Sequence, residues 1–434
     1  MPGMPGGGVQ DQCMFATFCD NFATAFPGGR GGDLNESKWS FSHESQDTNP
    51  AGGLIDKFGP VPSEHCMDPN NPVTFLADGD SFVCGEEFGE SNHWMESIQD
   101  YGLSAMHDAR ILQPFDFANR TGTLDFSVDA KSTGGAGTWL EFWLTDRPDQ
   151  APHIESDNLN AHDHPRNGVG IILDDPTRCG PVASQDGNTI HTVNVFHDYT
   201  QQTVNVNGPC FATHDDTPNH FQIKIDVNHV EVWATDAGMM NSRLVGQATF
   251  AQPLNFTRGY WNLEHNQYDA KAAGDINCLC SKDNFTYHWH AISFDGPTIP
   301  TDHDYQVPDS LQPNSGGNSG PGVNLGYSQN HIAPDWQIPN VDPTGTRAWL
   351  TYNVLYEYNS GQTLNVNVNG HQIAYTDDQD LVSGAALSAW RHNTVPVPLA
   401  DLVPGTNHVT ISSPVDCGNS CPAIANIDLE LTRS

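Results

Sequence analysis

The chain has 434 residues, a length at which one hydrophobic core no longer grows, so we expect more than one folded unit. Its 53 acidic residues outnumber 17 basic ones, for a formal net charge of -36, which argues against nucleic acid or an anionic membrane surface as a partner. With 40 glycines and 30 prolines, the composition indicates β-strands joined by long turn-bearing loops, with little helix.

The N-terminal part of the chain predicts irregular structure. Residues 1–12, "MPGMPGGGVQDQ", lack the basic end and apolar stretch of a signal peptide, and we predict a disordered or processed terminus.

In "ADGDSFVCGEE", Asp78 and Asp80 carry oxygen ligands of the kind that calcium takes. A structural Ca²⁺ is one interpretation and an ordinary acidic loop is the other. No motif requires a cofactor.

From residue 104 onward, apolar and polar residues alternate in segments such as "GTLDFSVDA" and "HFQIKIDVNHVEVWATD". Turn residues, and not helical segments, join them, so the pattern predicts an antiparallel β-sandwich or barrel over residues 13–300. A Pro/Gly/Ser/Asn-rich stretch at 301–343 is predicted to be a linker. Residues 344–434 predict a second, smaller β-sandwich, with a hairpin turn at Asn369 and Gly370.

Ten cysteines without zinc-site spacing predict disulfides, and therefore a secreted, extracellular protein. Cysteines 278 and 280 alternate across a predicted strand, so each needs a different partner, and Cys13 and Cys19 are the remaining candidates. A zinc site there is the alternative. The other expected pairs are Cys417 with Cys421, Cys66 with Cys84, and Cys179 with Cys210.

Residues from about 15 to 297 resemble the concanavalin A-like lectin/glucanase superfamily. The resemblance rests on the opening "FCDNFATAF" and "LNESKW", on a laminin-G-like strand pair "HFQIKIDVNHVEVWATD", and on the closing "HWHAISFDGP". It implies a jelly roll from a superfamily of hydrolases, lyases and lectins. The C-terminal unit is similar to galactose-binding-like sandwiches through "LNVNVNGHQI" and "PLADLVPGTNHVTI". The Glu-x-Asp-x-x-Glu motif of laminarinase-type enzymes is absent from the sequence.

The segment "TWLEFWLTD" provides the first candidate site residues. One face of this strand, Leu140, Phe142 and Leu144, suits the space between two sheets. The other face carries Trp139, Glu141 and Trp143. We expect this face to form an outer, concave surface, where the two indoles stack on sugar rings around a carboxylate.

The segment "RGYWNLEHNQY" provides the second set, whose members share one strand face. Its amide and hydroxyl groups suit a polysaccharide or oligosaccharide, because they donate and accept hydrogen bonds in fixed directions. The predicted sugar-binding residues of this strand, which surround Glu264, are Tyr260, Asn262, Asn266 and Tyr268.

Glu141 and Glu264 are the candidate catalytic pair. Glycoside hydrolysis needs two carboxyl groups, about 5 Å apart for retention and roughly 6.5–9.5 Å apart for inversion. "WLEFWL" also resembles the nucleophile strand of some jelly-roll cellulases. We therefore predict a secreted glycoside hydrolase. The main alternative is a lectin-like or adhesive protein, and a polysaccharide lyase is disfavoured by the few basic residues. A surface glutamate paired with Arg147 or Arg258 is the non-functional interpretation.

Overall fold

The computed structural model describes residues 13–14, 16–22, 24, 34–46, 81–85, 94–99, 104–132, 138–148, 168–174, 188–198, 200–204, 211–214, 219–235, 242–268, 284–307, 323–324, 335–355, 364–374, 390–412 and 423–433. These residues form β-strands and one short 3-10 helix, Leu399–Asp401. In this part of the chain, no helix has the length and apolar character to cross a membrane.

The described residues of the first unit form seventeen strands. In chain order they are β1 (Phe18–Asp20), β2 (Trp39–Gln46), β3 (Ser81–Gly85), β4 (Trp94–Gln99), β5 (Ser104–Ile111), β6 (Phe115–Asp116), β7 (Gly122–Ser132), β8 (Thr138–Thr145), β9 (Gly168–Asp174), β10 (Asn188–His197), β11 (Thr200–Gln201), β12 (Phe211–His214), β13 (Asn219–Ile225), β14 (His229–Thr235), β15 (Arg243–Thr249), β16 (Arg258–Tyr268) and β17 (Asn284–Phe294).

In the second unit, nine strands lie within the described ranges. They are β18 (His303–Gln306), β19 (Val323–Asn324), β20 (Trp336–Val341), β21 (Arg347–Leu355), β22 (Asn365–Val368), β23 (His371–Ile373), β24 (Trp390–Val397), β25 (Gly405–Ser412) and β26 (Ala423–Thr432).

Each unit consists of two antiparallel sheets. In the first unit, an eight-stranded sheet has the order β15-β14-β13-β7-β17-β4-β3, with β1 beside β17. Its nine-stranded partner has the order β11-β10-β9-β8-β16-β5-β2, with β12 beside β10 and β6 beside β16. The second unit has a five-stranded sheet, β18-β26-β21-β24 with β19 beside β26, and a four-stranded sheet, β20-β25-β22-β23. The predicted all-β, antiparallel sandwich class is confirmed.

The core of the first unit lies between its two sheets. Leu140, Phe142 and Leu144 of β8 are buried in it, as the alternation of that strand predicts. Phe126, from the opposite sheet, lies 4.5 Å from Phe142 and 5.0 Å from Phe221 between ring centroids. Aromatic side chains from both sheets therefore hold the two layers together.

Two hairpins have short turns, and the turn predicted at Asn369 and Gly370 is confirmed. β13 and β14 pair from Ile225 with Val230, and the Asp226 N–H donates to the carbonyl of His229 at 3.0 Å. In the second unit, Asn369 and Gly370 have φ angles of 53° and 83° between β22 and β23. Both central residues of a type I′ turn need positive φ, which is why Asn-Gly is favoured there.

The segment 301–343, predicted to be a linker, contains three strands of the second unit. β18 and β19 pair with β26, and β20 pairs with β25. β18 has four residues and β19 has two, too few to produce an alternation signal among the surrounding Pro and Gly residues. Among the described residues, the two hydrophobic cores share no member: one runs from Phe18 to Phe294, the other from Val307 to Leu431.

One disulfide is formed within the described residues, and it joins Cys13 to Cys19. The expectation that these two cysteines pair with residues 278 and 280 is therefore wrong. Their Cα atoms are 5.4 Å apart at a sequence separation of 6, so the bond closes a short loop that ends within β1. Each of the other predicted pairs includes residues outside the described ranges.

Candidate functional site

The two predicted catalytic positions lie side by side in the nine-stranded sheet. Glu141 on β8 is directly opposite Glu264 on β16. Residues directly opposite each other on antiparallel strands have Cβ atoms about 4.5–5.5 Å apart and share one face of the sheet. The register thus brings together the two positions that the strand patterns singled out.

A third acidic residue continues this line. Asp108 on β5 is opposite Glu264 on its other side, so three adjacent strands carry Asp108, Glu264 and Glu141 in one row. We call these three residues the carboxylate row. With strands about 4.8 Å apart, its two outer positions are separated by about 9–10 Å. The strand pattern does not single out Asp108, because only the pairing of β5 with β16 places it in this row.

A second row runs parallel to the first, two residues further along each strand and on the same face of the sheet. It contains Arg110, Asn262, Trp143 and Gly170. The Nδ2 group of Asn262 lies 3.2 Å from Thr145 Oγ1 and 3.3 Å from the carbonyl of Tyr260. The amide therefore ties β16 to β8, and it stabilises the register that aligns the carboxylate row.

The indole of Trp143 lies across Gly170. A Cβ atom on this glycine would be only 2.7 Å from Trp143 Cζ3. We expect Gly170→Ala to lower the free energy of unfolding by roughly 1–3 kcal/mol, because the buried indole must shift. Urea denaturation measures the loss. In a Trp143→Leu background, the same glycine substitution should have a clearly smaller effect, and an equal effect would contradict this account.

The described side chains on the face that carries both rows are buried, which corrects the expectation of an open sugar-binding surface. Glu141 is 1% exposed, Trp143 and Asn262 are 0% exposed, and Tyr260 is 6% exposed. Strand alternation correctly placed them on the side of β8 and β16 opposite Leu140 and its neighbours. The side chains are nevertheless inaccessible, because the second unit contacts this face.

Asp302 joins the two units. Its Oδ2 accepts a hydrogen bond from the Tyr260 hydroxyl at 2.6 Å, and its Oδ1 accepts one from the Arg433 N–H at 3.0 Å. The Asp302 N–H donates to the carbonyl of Leu112 at 3.0 Å. Burial raises the pKa of the Tyr260 hydroxyl, so this group is a neutral donor to Asp302. Tyr260, which is predicted to bind sugar, uses its hydroxyl group for the hydrogen bond to Asp302 in this structure.

A buried ion pair forms the second connection. Arg110 of β5 donates through Nη2 to Oε1 of Glu430 on β26, and both side chains are almost fully buried. The Arg110 guanidinium also lies 5.4 Å from the centre of the Tyr260 ring. A third contact joins Thr394 of β24 to the carbonyl of Pro148, just after β8, at 3.2 Å.

The titration of Asp302 predicts a pH effect on stability. Burial raises its pKa above the ordinary value of 3.8 and outweighs the opposing effects of the Tyr260 and Arg433 hydrogen bonds and of the Arg110 charge. The folded protein therefore holds this proton more tightly than the unfolded chain does. The stabilisation is complete below pH 3.8 and is lost as the pH rises through the raised pKa.

We expect Asp302→Asn to remove this part of the pH dependence of the unfolding free energy. Urea denaturation of both proteins at several pH values above 4 measures it. If the two stability curves stay parallel across this range, the assignment to Asp302 is wrong.

Several predicted site residues can be placed by backbone alone or not at all. Asn266 is opposite Trp139 in the register of β16 and β8, and Tyr268 is in β16 as predicted. The side chains of these residues and of Glu264 lie outside the described part of the structure. Asp78 and Asp80 lie outside it entirely. Among the residues that are described, no group of three or more His, Cys, Asp or Glu could hold a metal ion, and calcium stays a prediction.

Arg258, considered as an ion-pair partner of a surface glutamate, lies elsewhere. Its Nη2 atom is 3.4 Å from Oδ2 of Asp116, on the adjacent strand β6. The pair is partly exposed at the end of β16, and it belongs to the strand pairing there. The non-functional interpretation of the glutamates therefore gains no support from this arginine.

No protein-family model and no curated protein matches the sequence. Similar solved structures include lectin II from Ulex europaeus, at 10% identity and a TM-score of 0.34, over 65% of this chain and 100% of that one. They also include a Bacillus licheniformis β-glucanase, at 10% identity and a TM-score of 0.33, over 66% of this chain and 100% of that one. A third is the VIP36 exoplasmic/lumenal domain bound to Ca²⁺ and Man2, at 9% identity and a TM-score of 0.34, over 65% of this chain and 89% of that one. These neighbours are concanavalin A-like jelly rolls, the class that the sequence resembles.

Proposed function

We propose that the protein is a secreted glycoside hydrolase and that the carboxylate row is its catalytic centre. The observation that carries the proposal is the register of β8 and β16, which sets Glu141 directly opposite Glu264. Cross-strand neighbours have Cβ atoms about 4.5–5.5 Å apart, and from that backbone spacing two glutamate side chains can bring their carboxyl groups to the separation of about 5–5.5 Å that retaining enzymes use. The reaction proposed is therefore hydrolysis with retention of the anomeric configuration.

The order of the three carboxyl groups suggests their roles. Glu264 stands between Asp108 and Glu141. A carboxyl group with acidic neighbours on both sides keeps its proton more readily, because like charges repel at this spacing. We assign Glu264 as the general acid and Glu141 as the nucleophile. Asp108 is a positioning residue that acts through Glu264.

In the first step, Glu141 forms a bond to the anomeric carbon while the glycosidic C–O bond breaks. Glu264 gives its proton to the departing oxygen. In the second step, Glu264 takes a proton from water, the water oxygen bonds to the anomeric carbon, and the bond to Glu141 breaks. Both carboxyl groups end in their starting states, so no other reactant is needed.

The substrate class follows from charge and aromatic groups. The net charge of -36 disfavours polyanionic polymers, so we propose a neutral polysaccharide. Trp139 and Trp143 flank Glu141 on β8 and are the proposed stacking platforms. Secretion is supported by the Cys13–Cys19 disulfide, which persists in oxidising compartments.

A non-catalytic sugar-binding or adhesive role is the second candidate. The burial of Glu141 and Trp143 favours it, because a covered carboxylate cannot reach a glycosidic bond. On this alternative, sugars bind to another surface of the sandwich and the carboxylate row is structural.

The test is an assay of reducing-sugar release on neutral glycans, including β-glucans, with the first-formed anomer identified by NMR. Retention of configuration supports the assigned pair. Binding of a glycan without any release of reducing sugar would support the second candidate instead. Inversion would overturn the assignment of Glu141 as nucleophile.

A further inference from the structure

The outer face of the nine-stranded sheet, which carries the carboxylate row, is covered by the second unit. Along β26, Leu429 and Leu431 point into the core of the second unit, while Asp428 and Glu430 are on the other face. Both acidic residues are buried, and Glu430 bonds to Arg110 of the first unit. The polar face of β26 is therefore turned toward the predicted site.

This contact is polar and incompletely satisfied. Only Nη2 of Arg110 bonds to Glu430. Within the described residues, Arg110 Nε, Arg110 Nη1 and Glu430 Oε2 make no hydrogen bond, although all are buried. Burying such groups without partners is unfavourable, and water would satisfy them if the units separated.

The ionic composition of the contact points in the same direction. Asp302, Asp428 and Glu430 bring three buried carboxyl groups close to the guanidinium of Arg110. Removing these groups from water is costly, and the charges of Arg110 and, at Asp302, of Arg433 offset only part of that cost. Burial also lowers the pKa of Arg110, against the effect of the nearby acids.

The units do not need each other to complete their cores. Each has two sheets, and the cores have no residue in common in the described part of the chain. Polar interfaces between such units resemble transient protein–protein contacts, for which relative motion is the default expectation.

We propose that the second unit is a detachable cover, held closed by the Arg110–Glu430 pair and by Asp302, whose release opens the carboxylate row to glycan. This inference rests on the proposed function only in one respect, namely that the opening admits glycan to a catalytic carboxylate row. The opening itself is a physical property that can be measured without any substrate.

The experiment is carbodiimide labelling of carboxyl groups in the full chain, read by mass spectrometry at Asp108 and Glu141. Both are 1% exposed, so slow labelling is expected in the wild type. Glu430→Gln removes the charge opposite Arg110 and should raise both labelling rates by roughly tenfold or more. The matched control is Glu231→Gln, a partly exposed glutamate on β14 in the other sheet, which should leave them unchanged.

A second variant separates opening from misfolding. In Arg110→Met with Glu430→Leu, apolar groups replace the ion pair, and labelling should return toward the slow wild-type rate. Slow labelling of Glu430→Gln, or fast labelling of the apolar double variant with its circular dichroism unchanged, would overturn the cover. Faster labelling of Glu430→Gln without any glycan hydrolysis leaves the cover in place and counts against the proposed function alone.

Discussion

Replacing Glu264 with glutamine is expected to lower the rate of glycan hydrolysis by a factor on the order of 10²–10⁴, the contribution of a positioned general acid. Glutamine keeps the size of the side chain but cannot give a proton to the leaving oxygen. Glu141→Gln should abolish the first step in the same range or beyond, because an amide is a poor nucleophile. The measurement is reducing-sugar release under conditions where wild-type turnover is linear.

The substrate separates the two roles. A glycan derivative with a good leaving group, such as a nitrophenyl glycoside, needs little protonation, so it should restore the first step in Glu264→Gln and not in Glu141→Gln. The matched control is again Glu231→Gln, which should retain wild-type activity. Both active-site variants should also be made with Glu430→Gln, so that closure of the cover does not conceal their activity. Full activity in either variant would refute the assignment.

Replacing Phe126 with alanine is expected to lower the free energy of unfolding of the first unit by about 3–5 kcal/mol. Phe126 is fully buried and its ring centre lies 4.5 Å from Phe142, 5.0 Å from Phe221 and 5.8 Å from Trp289. Alanine leaves a cavity between the sheets and removes the ring contacts with both layers. Denaturation by urea, followed by circular dichroism and tryptophan fluorescence, measures the change.

Two comparisons test the physical reason. Phe256 is only partly buried against the same core, so Phe256→Ala should cost clearly less. The unfolding transition of the second unit should be unchanged, because Phe126 is outside its core. Equal losses for the two phenylalanines would mean that packing at the centre of the sandwich does not set stability.

Strand alternation predicted which residues share a face, because it is a local property of the sequence. It placed Phe142 in the core and Glu141 on the opposite face of β8, and both placements are confirmed. Turn chemistry likewise predicted the Asn369-Gly370 hairpin, since few residue pairs accept positive φ twice.

The sequence patterns do not predict which strands pair when the strands are far apart in the chain. Asp108 joins the carboxylate row only because β5 pairs with β16, more than 150 residues later in the chain. The burial of Trp143 was missed for a related reason: alternation identifies the face of a strand but not what covers that face. The sequence pattern does not predict the strand His303–Gln306, because its partner, β26, lies at the other end of the second unit.

One face of β26 packs in the core of the second unit and the other contacts the first unit. The first unit is therefore synthesised before this contact can form. This strand follows β18 to β25 in the chain and carries Glu430 to the first unit. At a translation rate of about 5–20 residues per second, the roughly 130 residues between Phe294 and Ala423 take on the order of 10 s to emerge. During that interval, Asp108 and Glu141 of the emerging chain lack the contact that β26 later makes with their face of the sheet.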